Sequence, residues 1–241
     1  MTTFRSTLYF LYFITVSVVM HICALPTLAL PRMTVVRISQ AWSWMLLWGL
    51  KYVAGLDYEV RGEIPKGGVL VAAKHMSMWD TITLYLLLRD PVIVIKRELL
   101  SIPFYGWYVR KAKMIAIDRA AGANALRQMA AQAREVIAAG RPIAIFPEGT
   151  RKKPGAPPDY KPGIAGLYTQ LGVPCVPVAL NSGQFWRGGF EKKPGTIVIE
   201  FLPAIPAGLK RAEFMRALEE SIERRTAKLL EEGRKLLKEQ E

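Results

Sequence analysis

From Thr7 to Leu30 the chain reads TLYFLYFITVSVVMHICALPTLAL, an uncharged stretch with Arg5 before it and Arg32 after it. About 20 apolar residues are enough for a helix to cross the hydrocarbon core, so this stretch predicts a membrane helix. Pro26 is where it should kink or end. A cleavable signal peptide is the competing reading, given the basic start and the small residues near Ala24 and Ala29; against it, the apolar run is long for a signal core. The next segment, AWSWMLLWGLKYVAGL, brings Trp42, Trp44 and Trp48 close together ahead of Lys51. Indole rings favour the headgroup layer, so this segment reads either as a helix lying at a membrane interface or as one packed on the domain that follows.

Past residue 60, short apolar runs alternate with amphipathic ones, and no internal repeat appears. The apolar runs predict strands at Val69–Ala73, Val92–Ile95, Met114–Ile117, Ile143–Phe146, Val176–Leu180 and Thr196–Phe201. Helical spacing predicts helices over Thr81–Leu88, Ala120–Ala139, Ile164–Leu171 and Lys210–Lys238. The strand–helix alternation implies an α/β fold with a mostly parallel central sheet flanked by helices. We divide the chain into an anchor and interfacial helix, residues 1–58, and a globular domain, residues 59–241. In such sheets ligands gather at the carboxyl ends of the strands.

Composition sharpens this picture. The chain has 241 residues, 51% of them hydrophobic, and a formal net charge of +13. Residues 60–208 hold 20 Lys and Arg against 10 Asp and Glu, whereas residues 209–241 hold 9 against 8. The basic middle favours an anionic partner such as a phosphate-bearing substrate or a lipid headgroup. No helix-turn-helix, zinc-finger or RNA-binding signature accompanies the charge, which argues against nucleic acid. Cys23 and Cys175 lie far apart in apolar stretches, and His21 and His75 are the only histidines. No metal site and no disulfide framework is expected. P-loop, dinucleotide-binding and G-x-S-x-G patterns are also missing, which removes kinase, dehydrogenase and serine-hydrolase readings.

Three clusters follow predicted strands. In Lys74-His75-Met76-Ser77-Met78-Trp79-Asp80, His75 is the one histidine outside the apolar N-terminal stretch, and Asp80 is placed to hold one imidazole N–H. That is the logic of a general base with its orienter, yet Ser77 and Asp80 also make a plain helix cap. In Phe146-Pro147-Glu148-Gly149-Thr150-Arg151, the glycine lets backbone approach a ligand and the guanidinium forks onto phosphate, though Pro-Glu-Gly is also an ordinary turn. In Ile117-Asp118-Arg119, Asp118 suits a helix N-cap. A cation at Arg119, near a helix N-terminus, calls for an anion beside it.

Taken in order, these blocks resemble the glycerolipid acyltransferase superfamily, in particular bacterial 1-acylglycerol-3-phosphate acyltransferases. The family's H-x-x-x-x-D, its basic block ending in Arg, its F-P-E-G-T-R and its Val-Pro strand have counterparts at His75–Asp80, Lys96–Arg119, Phe146–Arg151 and Val173–Val178. The likeness spans residues 60–205. It implies a glycerolipid-acyltransferase-like fold with an N-terminal membrane helix. His75 would be the base and Asp80 its orienter, while Arg119, Glu148, Gly149, Thr150, Arg151 and Lys96 would form the acceptor site. It further implies no cofactor, with acyl-CoA or acyl carrier protein as acyl-donor substrate and lysophosphatidic acid as acceptor. The setting would be a bacterial inner membrane, with the catalytic domain on its cytoplasmic face. Lys74 stands where the family often has Asn, and Lys113 and Ala116 replace a common Gly and Phe. Other lysolipids or glycerol 3-phosphate as acceptor, and a catalytically silent protein that binds anionic lipid, remain the alternatives.

Overall fold

A computed structural model describes residues 2–118, 122–186 and 189–238. Seven strands form one sheet: β1 (Leu56–Arg61), β2 (Leu70–Ala73), β3 (Val92–Lys96), β4 (Ile115–Ile117), β5 (Ile143–Ile145), β6 (Cys175–Leu180) and β7 (Gly195–Phe201). Their spatial order is β1-β7-β6-β2-β5-β3-β4. Only the β6–β7 pairing is antiparallel, so β1 and β7 run opposite to the other five.

The helices are α1 (Thr2–Cys23), α2 (Arg32–Gly49), α3 (Met78–Leu87), α4 (Tyr105–Lys111), α5 (Gly122–Ala138), α6 (Gly163–Leu171) and α7 (Arg211–Lys238). The sheet is covered on both faces, and period-two alternation assigns each strand residue to one of them. Val71 and Ala73 of β2 and Val178 of β6 pack into a core shared with α1, α2 and α3. Leu70, Ala72 and Cys175 face the opposite core, against α5, α6 and α7. Burial on both faces explains why these strands read as unbroken apolar runs.

α1 is the one helix among the described residues long and apolar enough to cross a membrane. It touches the rest of the protein along a single stripe. Ser6 and Tyr9 are buried, and Phe13 and Val16 pack partly on the core, whereas Phe10, Leu11, Ile14 and Val18 on the other side are exposed. Close approach to α2 depends on Gly49, where an added Cβ would meet the Tyr12 ring at 2.2 Å; the Tyr12 hydroxyl donates to the Met45 carbonyl at 2.8 Å.

The apolar helix ends ahead of Pro26, as expected: it stops at Cys23, because the proline has no N–H to donate and the chain closes into a 3-10 turn over Leu25–Ala29. Two expectations need correcting. The segment read as a helix through Leu56 ends in a π turn at Leu50–Ala54, with Gly55 left-handed at φ 72°. Strand β1 then runs across the expected boundary between residues 58 and 59. The tryptophan-rich helix α2 is packed and exposed at once: Leu46 and Leu47 are buried, while Trp44 and Trp48 are exposed.

Candidate active site

The sharp turn from β2 into α3 builds the centre of the site. Ser77 is the N-cap of α3 and its hydroxyl accepts from the Trp79 N–H, while Asp80 reaches back to the N-cap backbone. Asp80 Oδ2 accepts from the N–H groups of Met76 and Ser77 at 2.7 and 2.8 Å, and from His75 Nδ1 at 2.9 Å. Its other oxygen accepts from the Ser182 hydroxyl at 2.5 Å. The helix-cap reading and the orienter reading are therefore both true of one carboxylate. Asp80 is fully buried, so its charge is held by hydrogen bonds instead of water.

Because a carboxylate only accepts, Nδ1 of His75 carries the proton of this bond, and in the neutral ring Nε2 keeps its lone pair. The imidazole is stacked on the Phe146 ring with centroids 3.9 Å apart and 19° between planes. That contact fixes the remaining freedom of the ring. The two motifs are also tied through the backbone, where Lys152 N–H donates to the His75 carbonyl at 2.8 Å.

After β5 the chain turns tightly, with Gly149 N–H donating to Phe146 O at 2.9 Å and Gly149 itself at φ 66°. Glu148 is pulled inward. Its Oε1 accepts from Lys74 Nζ at 2.9 Å, and the same ammonium reaches Glu223 of α7 at 2.7 Å. Tyr160 donates to Glu223 at 2.8 Å. Burial pushes the Glu148 carboxyl up from its ordinary value, with Lys74 opposing. Glu148 Oε2 is buried and has no hydrogen-bond partner among the described residues.

His75, Lys96, Glu148, Gly149, Thr150 and Arg151 all line one cavity of about 1320 Å³. Arg151 and Lys96 are exposed there, and neither meets a carboxylate among the described residues. Two unpaired cations beside a base are a ready site for phosphate. Away from them the wall is mostly apolar and is supplied by α1, α2, α3, β3 and α4, including Phe13, Trp42, Met78, Ile93 and Val109. Arg119, the remaining expected acceptor residue, lies outside the described residues. Asp118 is half exposed and pairs with Arg97 at 3.7 Å.

Ser182, Tyr160 and Glu223 were not singled out from the sequence, and Lys74 was noted only as a departure. Ser182 lies two residues past the end of β6, so the strand-end rule that found the other residues would have reached it. Glu223 gave no local signal.

Among the described residues no His, Cys, Asp or Glu cluster could hold a metal ion. An imidazole held by a carboxylate, cations beside it and a long, largely apolar cavity behind it have the chemistry to take a proton from an alcohol on an anionic, lipid-like molecule. The chain belongs to the acyltransferase family, whose profile matches residues 56–181. It is 40% identical to the 1-acyl-sn-glycerol-3-phosphate acyltransferase of Pseudomonas aeruginosa over 173 residues, covering 70% of this chain and 67% of that protein. It is 30% identical to the alpha form of 1-acyl-sn-glycerol-3-phosphate acyltransferase from Mus musculus, covering 74% of this chain and 65% of that one. The matches thus span about two thirds of each relative's length. Its fold is that of the 1-acyl-sn-glycerophosphate acyltransferase of Thermotoga maritima, at a TM-score of 0.79 over 95% of this chain and 98% of that one, with 23% identity.

Proposed function

We propose that the protein transfers a fatty acyl group from a thioester to the sn-2 hydroxyl of lysophosphatidic acid, forming phosphatidic acid. The observation that carries this reading is the His75–Asp80 pair at 2.9 Å on the wall of a cavity whose other walls are partly cationic and partly apolar. Arg151 and Lys96 hold the acceptor phosphate, and Glu148 Oε2 accepts from a hydroxyl of the acceptor. His75 Nε2 takes the proton of the sn-2 hydroxyl as that oxygen attacks the thioester carbonyl. The tetrahedral intermediate collapses, the carbon–sulfur bond breaks, and the imidazolium returns its proton to the departing thiolate. A positioned base contributes about 10²–10⁴-fold, with positioning supplying much of the rest.

No acyl-enzyme enters this scheme. Cys175 is fully buried in β6 and burial pushes its thiol up, which makes it a poor nucleophile. Acyl-CoA or acyl carrier protein delivers the acyl group, and no cofactor is used. Both carriers are cytosolic, so the domain works on the cytoplasmic face of a membrane, the inner one in a bacterium. The exposed apolar side of α1 keeps it at the bilayer, where the acceptor's own chain resides.

An acceptor panel tests the reading. Purified protein in lipid is given labelled acyl thioester with lysophosphatidic acid, glycerol 3-phosphate or a lysolipid lacking a free phosphate monoester. Phosphatidic acid as the dominant product is expected. Equal turnover of the acceptor without the monoester would remove Arg151 and Lys96 from the account, and turnover of none would leave only lipid binding.

A further inference from the structure

Helix α4 has one face for the protein and one for something outside it. At about 3.6 residues per turn, Tyr108, Val109 and Ala112 turn inward and are buried, whereas Trp107 and Arg110 turn outward and are exposed, with Lys111 half-buried beside them. Ile102 and Phe104, just ahead of the helix, are exposed as well. Phe104 is held at φ 62°, a conformation that a bulky side chain rarely adopts. Gly106 lets the turn double back on the Leu100 carbonyl oxygen, which an added Cβ would meet at 2.1 Å. The outcome is a Phe104 ring set against the Trp107 ring, with centroids 5.3 Å apart and 65° between planes. Straining a backbone to hold two aromatic rings in water gains nothing within the fold, so the turn points to an external contact.

Charge and position say what that contact is. Residues 96–112 hold four Lys and Arg against one acid, Glu98. Neither Arg110 nor Lys111 meets a carboxylate among the described residues. Cations suit a helix C-terminus on their own, but that does not account for the exposed rings beside them. Indole rings favour the headgroup layer and cations favour its phosphates, so the combination fits an anionic bilayer surface. The face is also continuous with the apolar side of α1. Tyr108, on the inner side of α4, donates to the His21 carbonyl of α1 at 2.7 Å. Val18 and Ile22 of α1, together with Ile102 and Phe104, are exposed and line the same cavity, so they border its opening.

We propose that the outer face of α4, with Ile102 and Phe104 ahead of it, is a second membrane contact beside that of α1, and that it is selective for anionic lipid. The contact goes beyond the acyl-transfer reading and does not depend on it.

The test uses the full-length protein reconstituted in vesicles, without substrate. The bilayers are phosphatidylcholine alone or with about one third phosphatidylglycerol, each with and without lipid brominated high on its acyl chains. Emission lost on Trp107→Phe is the signal of Trp107. Brominated lipid should quench that signal, and about twofold or more strongly in the bilayer that contains phosphatidylglycerol. Arg110→Gln combined with Lys111→Gln should bring quenching in the anionic bilayer down to the level of the neutral one, with thermal unfolding confirming that the variants fold. A Trp107 signal that brominated lipid leaves unquenched, or quenches equally in the two bilayers, would overturn the proposal. Absence of quenching together with dimers in native mass spectrometry would overturn it in favour of a second copy of the chain. No acyl transfer is read, so charge-dependent quenching in a protein without transferase activity would sink the catalytic reading and leave this contact standing.

Discussion

Lys74 Nζ lies 2.9 Å from Glu148 Oε1, and both side chains are buried. Because the same ammonium reaches Glu223 at 2.7 Å, the residue beside the base ties the turn after β5 to the last helix. One carboxylate oxygen of Glu148 is consumed in holding position, and the other is buried without a hydrogen-bond partner among the described residues. Removing one partner of a buried pair strands the other, which costs about 3–5 kcal/mol. Lys74→Met should therefore lower unfolding stability by an amount in that range, measured by urea denaturation in detergent. Lys74→Met combined with Glu148→Gln should recover part of the loss. A fully stable single variant would show that the network is not a strut.

Asp80→Asn should separate orientation from packing. An amide keeps the size of the side chain but cannot accept from His75, Met76, Ser77 and Ser182 together, and its N–H₂ group meets donors. The imidazole then loses its fixed tautomer, and acyl transfer should fall by about 10²-fold, no further than on removal of the imidazole itself. Ser182→Ala deletes a single charge-assisted bond, so about a tenfold loss is expected. Similar rates for the two variants would contradict the ranking.

Arg151→Ala should act on the acceptor. KM for lysophosphatidic acid should rise by about 10- to 100-fold, while KM for the acyl thioester changes little. Added salt should mimic the change in the wild type by screening the exposed guanidinium. If KM for the thioester rises instead, the cationic wall belongs to the donor.

Much of this architecture could be read from the chain because the buried strands are apolar on both faces and the helices are periodic. Two elements that the pattern did not reveal, β1 and α4, escaped for physical reasons. Leu56-Asp57-Tyr58-Glu59-Val60-Arg61 is strict alternation, with Leu56, Tyr58 and Val60 turned to the core, but its three charged residues masked a strand that pairs only with β7. Helix α4 has seven residues and opens at Phe104 with φ 62°, so no periodic signal could build up. At the site, His75, Asp80, Glu148 and Arg151 stood out because each follows a strand within a compact block. Lys74 and Glu223 lie 149 positions apart, and only the folded chain brings them together.

Lys113, where the family has a common Gly, carries a local backbone cost. It follows α4 in the left-handed region at φ 55°, where a side chain crowds the backbone and glycine does not. Lys113→Gly should relieve about 1 kcal/mol of that crowding. The check is a rise in Tm with unchanged kcat; a drop in Tm would mean that the lysine makes a compensating contact.

The account stands on His75 as the group that takes the acceptor's proton. The most direct measurement is the rate of labelled phosphatidic acid formation from lysophosphatidic acid and acyl thioester by His75→Ala, alongside wild type of equal thermal stability. The rate should fall by about 10²-fold or more while lysophosphatidic acid still binds. Product formed by the variant at the wild-type rate would contradict it.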